Sequence, residues 1–398
     1  MSRIVYIKQL PLQTHEVERF GMDFFALKGF EVDVLDVGEL VLPQMEHERS
    51  HYEQMGAFRP TVLRTRRDLA DRHGLLGDAD LIVMLAGAGG VNRRNLPVFR
   101  AVNKAGRPSL MLSTNAFPGF DRMRTQPIWS RSRISDALHR YRNGYLNPVN
   151  SVIARLPRRM LGTSYASSIV FGGRASLNQQ DNVGPTTKAI LAHAMDYETV
   201  RRRGLSPTES NTAVFIDQNL PFFRDGRAFG DEPRHVAVPY FTTLDRFFSE
   251  IERRFGLDVV IAAAPSADYR AHPEAFGGRQ VIYGQTPELV AKSRLVIGHR
   301  STAMSYAVIF HKPVQIVTTE AIYGLYSQVF TVDTFAKEFG RPLLMIDQPQ
   351  AIDFGNFFDL DRAAYDRYFD RYIKMNESRD APLWEIVYGD LVANQILH

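Results

Sequence analysis

The segment 294–317 combines residue types that bind anions with a pattern that would position them. Its apolar run 295–298 predicts a buried strand, and small and apolar residues at helical spacing over 301–310 predict a helix with a hydroxyl residue as N-cap. Backbone N–H groups and the helix dipole attract an anion at such a strand-to-helix turn. We predict phosphate contacts by His299, Arg300, Ser301 and Thr302. Ordinary capping with a structural ion pair is the alternative.

A carboxylate and an amide follow another predicted strand of the same half of the chain. Asp217 ends the apolar run 213–216, and Gln218 is next to it. A residue at the carboxyl end of a parallel strand is expected at the mouth of a ligand-binding cleft. A turn or helix cap is the alternative for Asp217.

Three further residues flank or end the predicted strand 281–283. Arg279 lies near its start, and a planar guanidinium group suits phosphate oxygens. Tyr283 and Gly284 end it, where a nucleoside base could lie, although an aromatic residue there is as often part of the core. We predict donor contacts for all three residues.

The predicted elements around these residues alternate between strands and helices. In the first half we predict strands at 4–7, 32–37, 81–86 and 109–113, with helices at 15–27 and 96–103. In the second half we predict strands at 213–216, 257–263, 281–283 and 295–298, with helices at 244–255 and 287–292. A polar passage at 198–211 predicts a linker. The pattern favours two doubly wound α/β domains, 1–200 and 201–350, with C-terminal helices in 351–398 packing back on the first domain.

The composition excludes several classes of site. The 398 residues contain no cysteine, which excludes disulfides, thiolate catalysis and Cys-ligated metals. No apolar run of about 18 residues and no signal-peptide pattern are present, so we expect a soluble, cytoplasmic protein. The net charge is +4, and arginines cluster at 122–142, 158–159 and 201–203. These clusters suit an anionic ligand, a phospholipid surface or simple solvation. No nucleic-acid-binding motif accompanies them, and metal-ligand spacing is poor.

Residues of the first half are candidates for binding a second substrate. The loop 113–119 follows a predicted strand and should line the ligand edge of the sheet. We predict acceptor contacts by Arg93, Arg94, Asn115 and Arg174, which the sequence does not rank.

Several segments between 182 and 317 together resemble a known family. They are NVGPTTK (182–188), HAMDY (193–197), VFIDQ (214–218), LDVVIA (257–262), GRQVIY (278–283), TPELV (286–290) and the Ser-Thr-Ala helix start at 301–303. This part of the chain resembles nucleotide-sugar glycosyltransferases of the GT-B architecture, in the bacterial surface-polysaccharide group related to capsule and O-antigen Kdo transferases. The first 180 residues are similar in architecture only.

The resemblance implies two Rossmann-like domains facing across a cleft, with the nucleotide-sugar donor on the C-terminal domain and the acceptor on the N-terminal one. It implies transfer of Kdo or another nonulosonic acid from a CMP donor to a surface glycan or lipid-linked acceptor. Asp217 would be the nucleophile of a retaining mechanism, with Gln218 and His299 as further catalytic residues. No metal or cofactor is expected. We do expect contact with the inner face of the cytoplasmic membrane.

One departure from the family keeps alternatives open. Relatives carry His-Pro where this chain has Ala264-Pro265, and His272, eight residues on, is the nearest substitute. The alternatives are an inverting UDP- or GDP-sugar transferase, in which Asp217 is a base or a structural group, and a catalytically silent nucleotide-sugar or glycan-binding subunit. A UDP-sugar 2-epimerase shares the two-domain architecture and is a lesser alternative.

Overall fold

Each half of the chain forms its own parallel β-sheet. The computed structural model describes residues 2–43, 47, 49–87, 90–119, 148–178, 181–222, 233–265, 267–323 and 332–397. The arginine cluster at 122–142 lies outside these residues. The first sheet consists of β1 Arg3–Lys8, β2 Glu31–Asp36, β3 Thr61–Val62, β4 Leu81–Leu85, β5 Ser109–Ser113, β6 Ser168–Phe171 and β7 Lys188–Leu191. The second consists of β8 Thr212–Ile216, β9 Asp258–Ala263, β10 Val281–Tyr283, β11 Leu295–Gly298, β12 Val314–Thr318 and β13 Leu343–Met345.

The strand orders are β3-β2-β1-β4-β5-β6-β7 and β10-β9-β8-β11-β12-β13, with every described pair parallel. The central strands are continuous apolar runs because helices cover both faces of each sheet. Strand order reverses between β1 and β4 in the first sheet, and between β8 and β11 in the second. In open α/β sheets such switch points form the ligand crevice at the carboxyl ends of the strands.

The helices complete the layers. Those of the first half are α1 Thr14–Arg19, α2 Met22–Leu27, α3 Gly38–Val41, α4 Arg66–Asp71, α5 His73–Gly77, α6 Leu96–Ala105, α7 Pro148–Arg155, α8 Arg158–Leu161 and α9 Met195–Arg203. Those of the second half are α10 Ala237–Phe255, α11 Thr286–Lys292, α12 Ser305–Ile309, α13 Glu320–Tyr323, α14 Val332–Glu338, α15 Arg362–Tyr368 and α16 Leu383–Ala393.

Three predicted helices differ from the observed ones, and one of them, 244–255, begins seven residues earlier as α10, at Ala237. The segment 15–27 is broken at Gly21, whose φ is +69° and where a Cβ atom would overlap the Trp384 ring. The segment 301–310 starts as a 3₁₀ turn, Thr302–Met304, before α12. The predicted linker is also shorter, because α9 continues to Arg203.

The C-terminal segment returns to the first sheet. A π-helix, Phe369–Ile373, passes so close to Gly173 that a Cβ atom there would overlap the Arg371 carbonyl group. The N–H of Ala194 donates to the Ile373 carbonyl at 2.7 Å. Helix α16 then packs against α1, α2 and the first sheet in one hydrophobic cluster. Among the described residues, no helix is long and apolar enough to cross a membrane.

Candidate functional site

The switch point of the second sheet joins two of the predicted residues. Gln218 follows β8, and its side-chain amide makes hydrogen bonds with both backbone groups of Arg300, which follows β11. Oε1 accepts from the Arg300 N–H at 2.8 Å, and Nε2 donates to the Arg300 carbonyl. These bonds hold the turn 299–302 against the end of β8. Gln218 is therefore a positioning residue for the turn, because its polar groups are engaged by the backbone.

Asp217 lies directly beside this contact but is 4% exposed. Its carboxylate accepts from the backbone N–H of Asn219 at 2.8 Å, the N–H of Ala264 at 3.1 Å and the Tyr269 hydroxyl at 2.9 Å. Burial raises the pKa of Asp217, and the hydrogen bonds oppose this shift. The carboxylate ties the loops after β8 and β9 together, so attack on a sugar would require it to give up these bonds.

His299, which we predicted to be a catalytic residue, does not face the cleft. Its side chain is 0% exposed, with Nδ1 2.6 Å from the Val317 carbonyl and Nε2 2.7 Å from the Tyr240 hydroxyl. A carbonyl only accepts, so Nδ1 carries the proton and Nε2 accepts from Tyr240. Burial lowers the pKa of His299 to about 4. The ring is neutral and holds β11 against β12 and α10, and it has no open nitrogen for a substrate.

The buried His299 predicts a pH dependence of stability. The unfolded chain binds a proton near pH 6.5, whereas the folded protein does so only near pH 4. The contribution of neutral His299 to the free energy of unfolding is therefore complete above pH 6.5. It falls by roughly 3 kcal/mol as the pH is lowered to 4. We expect the free energy of unfolding of the wild type to fall more steeply over this range than that of His299→Gln, measured by urea denaturation. Parallel curves would contradict the prediction.

The hydroxyl residues of the turn lie nearer to solvent than His299. Ser301 caps the 3₁₀ turn by accepting from the Ala303 N–H at 3.3 Å, and Thr302 is exposed. Because the regular helix begins only at Ser305, the expected dipole contribution is limited to a short helical segment. Anion binding here would depend mainly on local N–H groups, the Thr302 hydroxyl and Arg300.

Tyr283, Gly284 and Arg279 separate into two groups. The Tyr283 ring is 40% exposed at the end of β10, and its hydroxyl accepts from the Tyr269 N–H at 3.0 Å. Gly284 follows with φ +71° and open space around it. Arg279 instead lies before β10, toward the opposite edge of the sheet, and is paired with Glu252 and Asp245 on α10. We therefore do not include Arg279 in the donor site, because its guanidinium group is already neutralised there.

The carboxyl ends of the two sheets meet through Phe117 and Arg300. Phe117 follows β5, and its ring centroid lies 5.5 Å from the Arg300 guanidinium carbon and 6.4 Å from the ring of Phe335 on α14. Burial lowers the pKa of Arg300. The loops after β5 and β11 thus face each other across the cleft.

Helix α1 lies at the same junction. Arg19 in its last turn is 3.9 Å from Asp196 of α9, and the Asn115 amide, oriented to accept, is 3.0 Å from the Arg19 guanidinium. Burial raises the pKa of Asp196, while Arg19 and a hydrogen bond from Tyr306 oppose the shift. The acceptor candidate Asn115 is therefore linked through Arg19 and Asp196 to Tyr306 of the second half.

His15 is a candidate that the sequence patterns did not single out. It lies on α1 after the switch-point strand β1 and four residues before Arg19, so both residues share one helix face. The side chain is accessible to solvent, yet the surrounding protein lowers its pKa by desolvation, with Arg19 and Lys8 adding to the shift and Glu16 opposing it. A neutral, accessible imidazole at this edge can accept a proton. The sequence signal that could have identified His15 is its position at the start of the first helix after β1.

The other acceptor candidates are not brought together with Asn115. Arg93 and Arg94 are exposed between β4 and α6, and Arg174 is held by Asp370 at 2.9 Å and Glu377 at 2.9 Å. Arg174 therefore connects the loop after β6 to the C-terminal segment, which leaves Arg93 and Arg94 as the accessible cations.

The loop after β9 contains Ala264, where the transferases that this sequence resembles carry histidine. Ala264 donates its backbone N–H to Asp217, as described above. His272 stacks on Phe222, with ring centroids 4.3 Å apart and an interplanar angle of 9°, and is about two-fifths exposed. It thus lies between the loops after β8 and β9. Within the described part of the chain, no group of three or more His, Asp or Glu is arranged to hold a metal ion.

Comparison with known proteins gives similarity at the level of fold. No protein-family model matches the sequence, and no curated protein is similar to it. The glycosyltransferase SnogD from Streptomyces nogalater superposes with a TM-score of 0.50 at 13% identity, covering 99% of this chain and 100% of SnogD. The wall teichoic acid polymerase TagF superposes with a TM-score of 0.50 at 9% identity, covering 99% and 89%. S. aureus MnaA, solved with UDP, gives 0.49 at 10% identity, covering 100% and 98%.

These superpositions extend over nearly the whole chain, and both sheets take part. The predicted two-domain α/β architecture is therefore confirmed: the chain has the GT-B fold.

Proposed function

We propose that the protein is an inverting, metal-independent glycosyltransferase that uses a nucleoside-diphosphate sugar, with UDP as the favoured nucleotide. The observation that carries the proposal is the arrangement of the two carboxyl edges. One presents His15 on α1, and the other presents the turn that Gln218 holds through Arg300. SnogD, which shares this fold, is a glycosyltransferase, and this supports the proposed class.

The donor would bind at the edge of the second sheet. Arg300, Ser301 and Thr302 supply a cation, two hydroxyl groups and nearby backbone N–H groups for the phosphates. The exposed ring of Tyr283, beside Gly284, offers a flat surface for the base. A diphosphate leaving group gains negative charge as it departs, and fixed donors at this turn would stabilise that charge.

His15 would act on the acceptor. Its neutral imidazole takes the proton of an acceptor hydroxyl as that oxygen attacks the anomeric carbon. The bond from this carbon to the phosphate oxygen breaks on the opposite side, and the nucleoside diphosphate leaves with the electron pair. Attack opposite to the leaving group inverts the anomeric centre. Arg93, Arg94 and Asn115 are the first-sheet residues that we propose for acceptor binding.

The state of Asp217 favours this mechanism over the retaining one. A retaining transferase with an enzyme nucleophile needs a carboxylate that can reach the anomeric carbon. Asp217 is buried and already accepts three hydrogen bonds. His15, in contrast, is accessible and carries a lowered pKa.

Calorimetric titration with UDP, GDP and CMP tests the donor class. We expect UDP to bind most tightly and Arg300→Gln to weaken its binding by about 10-fold or more, the loss expected for a charge-assisted hydrogen bond. Arg246→Gln removes an exposed arginine of α10 and is the matched control. Preference for CMP would instead favour a Kdo-type transferase. Absence of binding by all three nucleotides would refute the donor site, and binding without product for any acceptor would favour the silent subunit.

A further inference from the structure

Three helices of the first domain, with the loop before them, contain basic residues and no acidic ones. Residues 81–119 and 148–178 contain neither Asp nor Glu, although the chain has 44 acidic residues among 398. Their helices α6, α7 and α8 and the preceding loop form what we call the α6–α8 surface. Its exposed basic residues are Arg93, Arg94, Arg100, Lys104, Arg155 and Arg159.

The parts of this surface are held together by direct contacts. The Arg93 N–H donates to the side chain of Asn150 on α7 at 2.9 Å. Arg100 of α6 donates from Nε to the Leu161 carbonyl of α8 at 2.8 Å. The guanidinium carbon of Arg158 lies 5.8 Å from the ring centroid of Phe99. These contacts hold α6, α7, α8 and the loop before α6 to one another, so the segments that carry the exposed cations form one unit.

Large apolar side chains are exposed among these cations. Val152 is 57% exposed and Met160 is 66% exposed, whereas their neighbours Ile153 and Leu161 are buried in the core of the first domain. Helices α7 and α8 are thus already anchored by one apolar face and present further apolar groups outward. Exposed apolar groups surrounded by arginines are typical of surfaces that lie on a bilayer.

We propose that the α6–α8 surface docks on an anionic lipid bilayer. The arginines would contact lipid phosphates, and Val152 and Met160 would enter the headgroup region. Nucleic acid is the less suitable partner for this face, because its phosphate backbone offers no apolar phase for the two aliphatic side chains. This inference is independent of the chemistry of the cleft.

Docking in this orientation has a consequence for the cleft. Arg93 and Arg94 follow β4 at the carboxyl edge of the first sheet, so the surface extends to the edge where we propose acceptor binding. A bilayer contacting α6, α7 and α8 would lie beside that edge. An acceptor carried on a lipid would then reach the cleft without leaving the membrane.

Vesicle co-sedimentation without substrate tests the inference. We expect binding to vesicles of phosphatidylcholine with phosphatidylglycerol and little binding to phosphatidylcholine alone. Arg155→Gln with Arg159→Gln should weaken partitioning roughly 30-fold, as expected for about 1 kcal/mol per arginine. Val152→Ser with Met160→Ser should remove the binding that persists at high salt. The matched control is Val238→Ser with Arg246→Gln, an exposed valine and an exposed arginine of α10, which should bind like the wild type.

Three outcomes would overturn the proposal. The first is that the wild type does not bind anionic vesicles. The second is that the surface variants and the control variant partition equally. The third is that binding depends on the arginines but not on Val152 and Met160, and that duplex DNA binds as well as the vesicles do. The last outcome would indicate a general polyanion site. Thermal melting of each variant shows whether it is folded, and nucleotide titration separately reports on the donor site.

Discussion

Replacement of His15 by alanine is expected to lower the rate of glycosyl transfer by about 10³-fold, the size of a general-base contribution. Nucleotide affinity should be unchanged, because His15 lies on the first-sheet side of the cleft and the donor turn on the other. The measurement is turnover with the donor that titration identifies, together with calorimetric binding of the nucleotide. A loss of turnover with intact binding assigns His15 to the chemical step.

The pH profile provides a second readout for His15. A base must be neutral to act, so turnover should fall as the pH is lowered through the pKa of His15, which lies below the usual histidine value. His73→Ala is the matched control, since this half-exposed histidine lies on the helix that leads to the amino-terminal end of β4. If His15→Ala and His73→Ala retain equal activity, His15 is not the base.

Asp217→Ala should lower the free energy of unfolding by about 3 kcal/mol, because it leaves buried donors without their charged acceptor. The affected groups are the N–H of Asn219, the N–H of Ala264 and the hydroxyl of Tyr269. Asp268→Ala in the same loop is the matched control, since Asp268 is exposed and accepts one 3.3 Å bond from the Arg270 N–H. Urea denaturation of the two variants gives the comparison.

Asp217→Asn separates the structural role from a nucleophilic one. The amide retains the acceptor for Asn219, and the raised pKa of Asp217 indicates that a neutral group is tolerated better there than at the surface. If the role is structural, activity should fall only in proportion to the lost stability. Complete loss of transfer with unchanged stability and nucleotide binding would restore Asp217 as the nucleophile of a retaining enzyme.

The sequence predicted those elements of the fold that depend on local pattern. The strands 109–113, 281–283 and 295–298 were predicted with the bounds that β5, β10 and β11 have, because each is a short run centred on apolar residues. Strand β3 was missed, since two residues show no periodicity. The break at Gly21 was missed because its cause, Trp384, comes from the end of the chain.

The candidate site was predicted only in part. The sequence predicted polar residues at the ends of β8 and β11, and the strand-order reversal that makes these two strands neighbours is visible only in the structure. The sequence did not distinguish the buried His299 from the exposed Thr302 three residues later. His299 is buried because Tyr240 of α10 and Val317 of β12 close over it, and both are distant in sequence.

The amino-acid sequence by itself determined the alternation of strands and helices, the division into two sheets and the edge where polar residues gather. These properties follow from hydrophobic periodicity and from the geometry of parallel strands. Only the tertiary structure decided which of those polar residues face solvent, which carboxylate is already hydrogen-bonded, and that Arg19, one turn after His15 on α1, lies beside Asp196 of α9. Burial and hydrogen bonding are set by partners far along the chain, so no local pattern contains them.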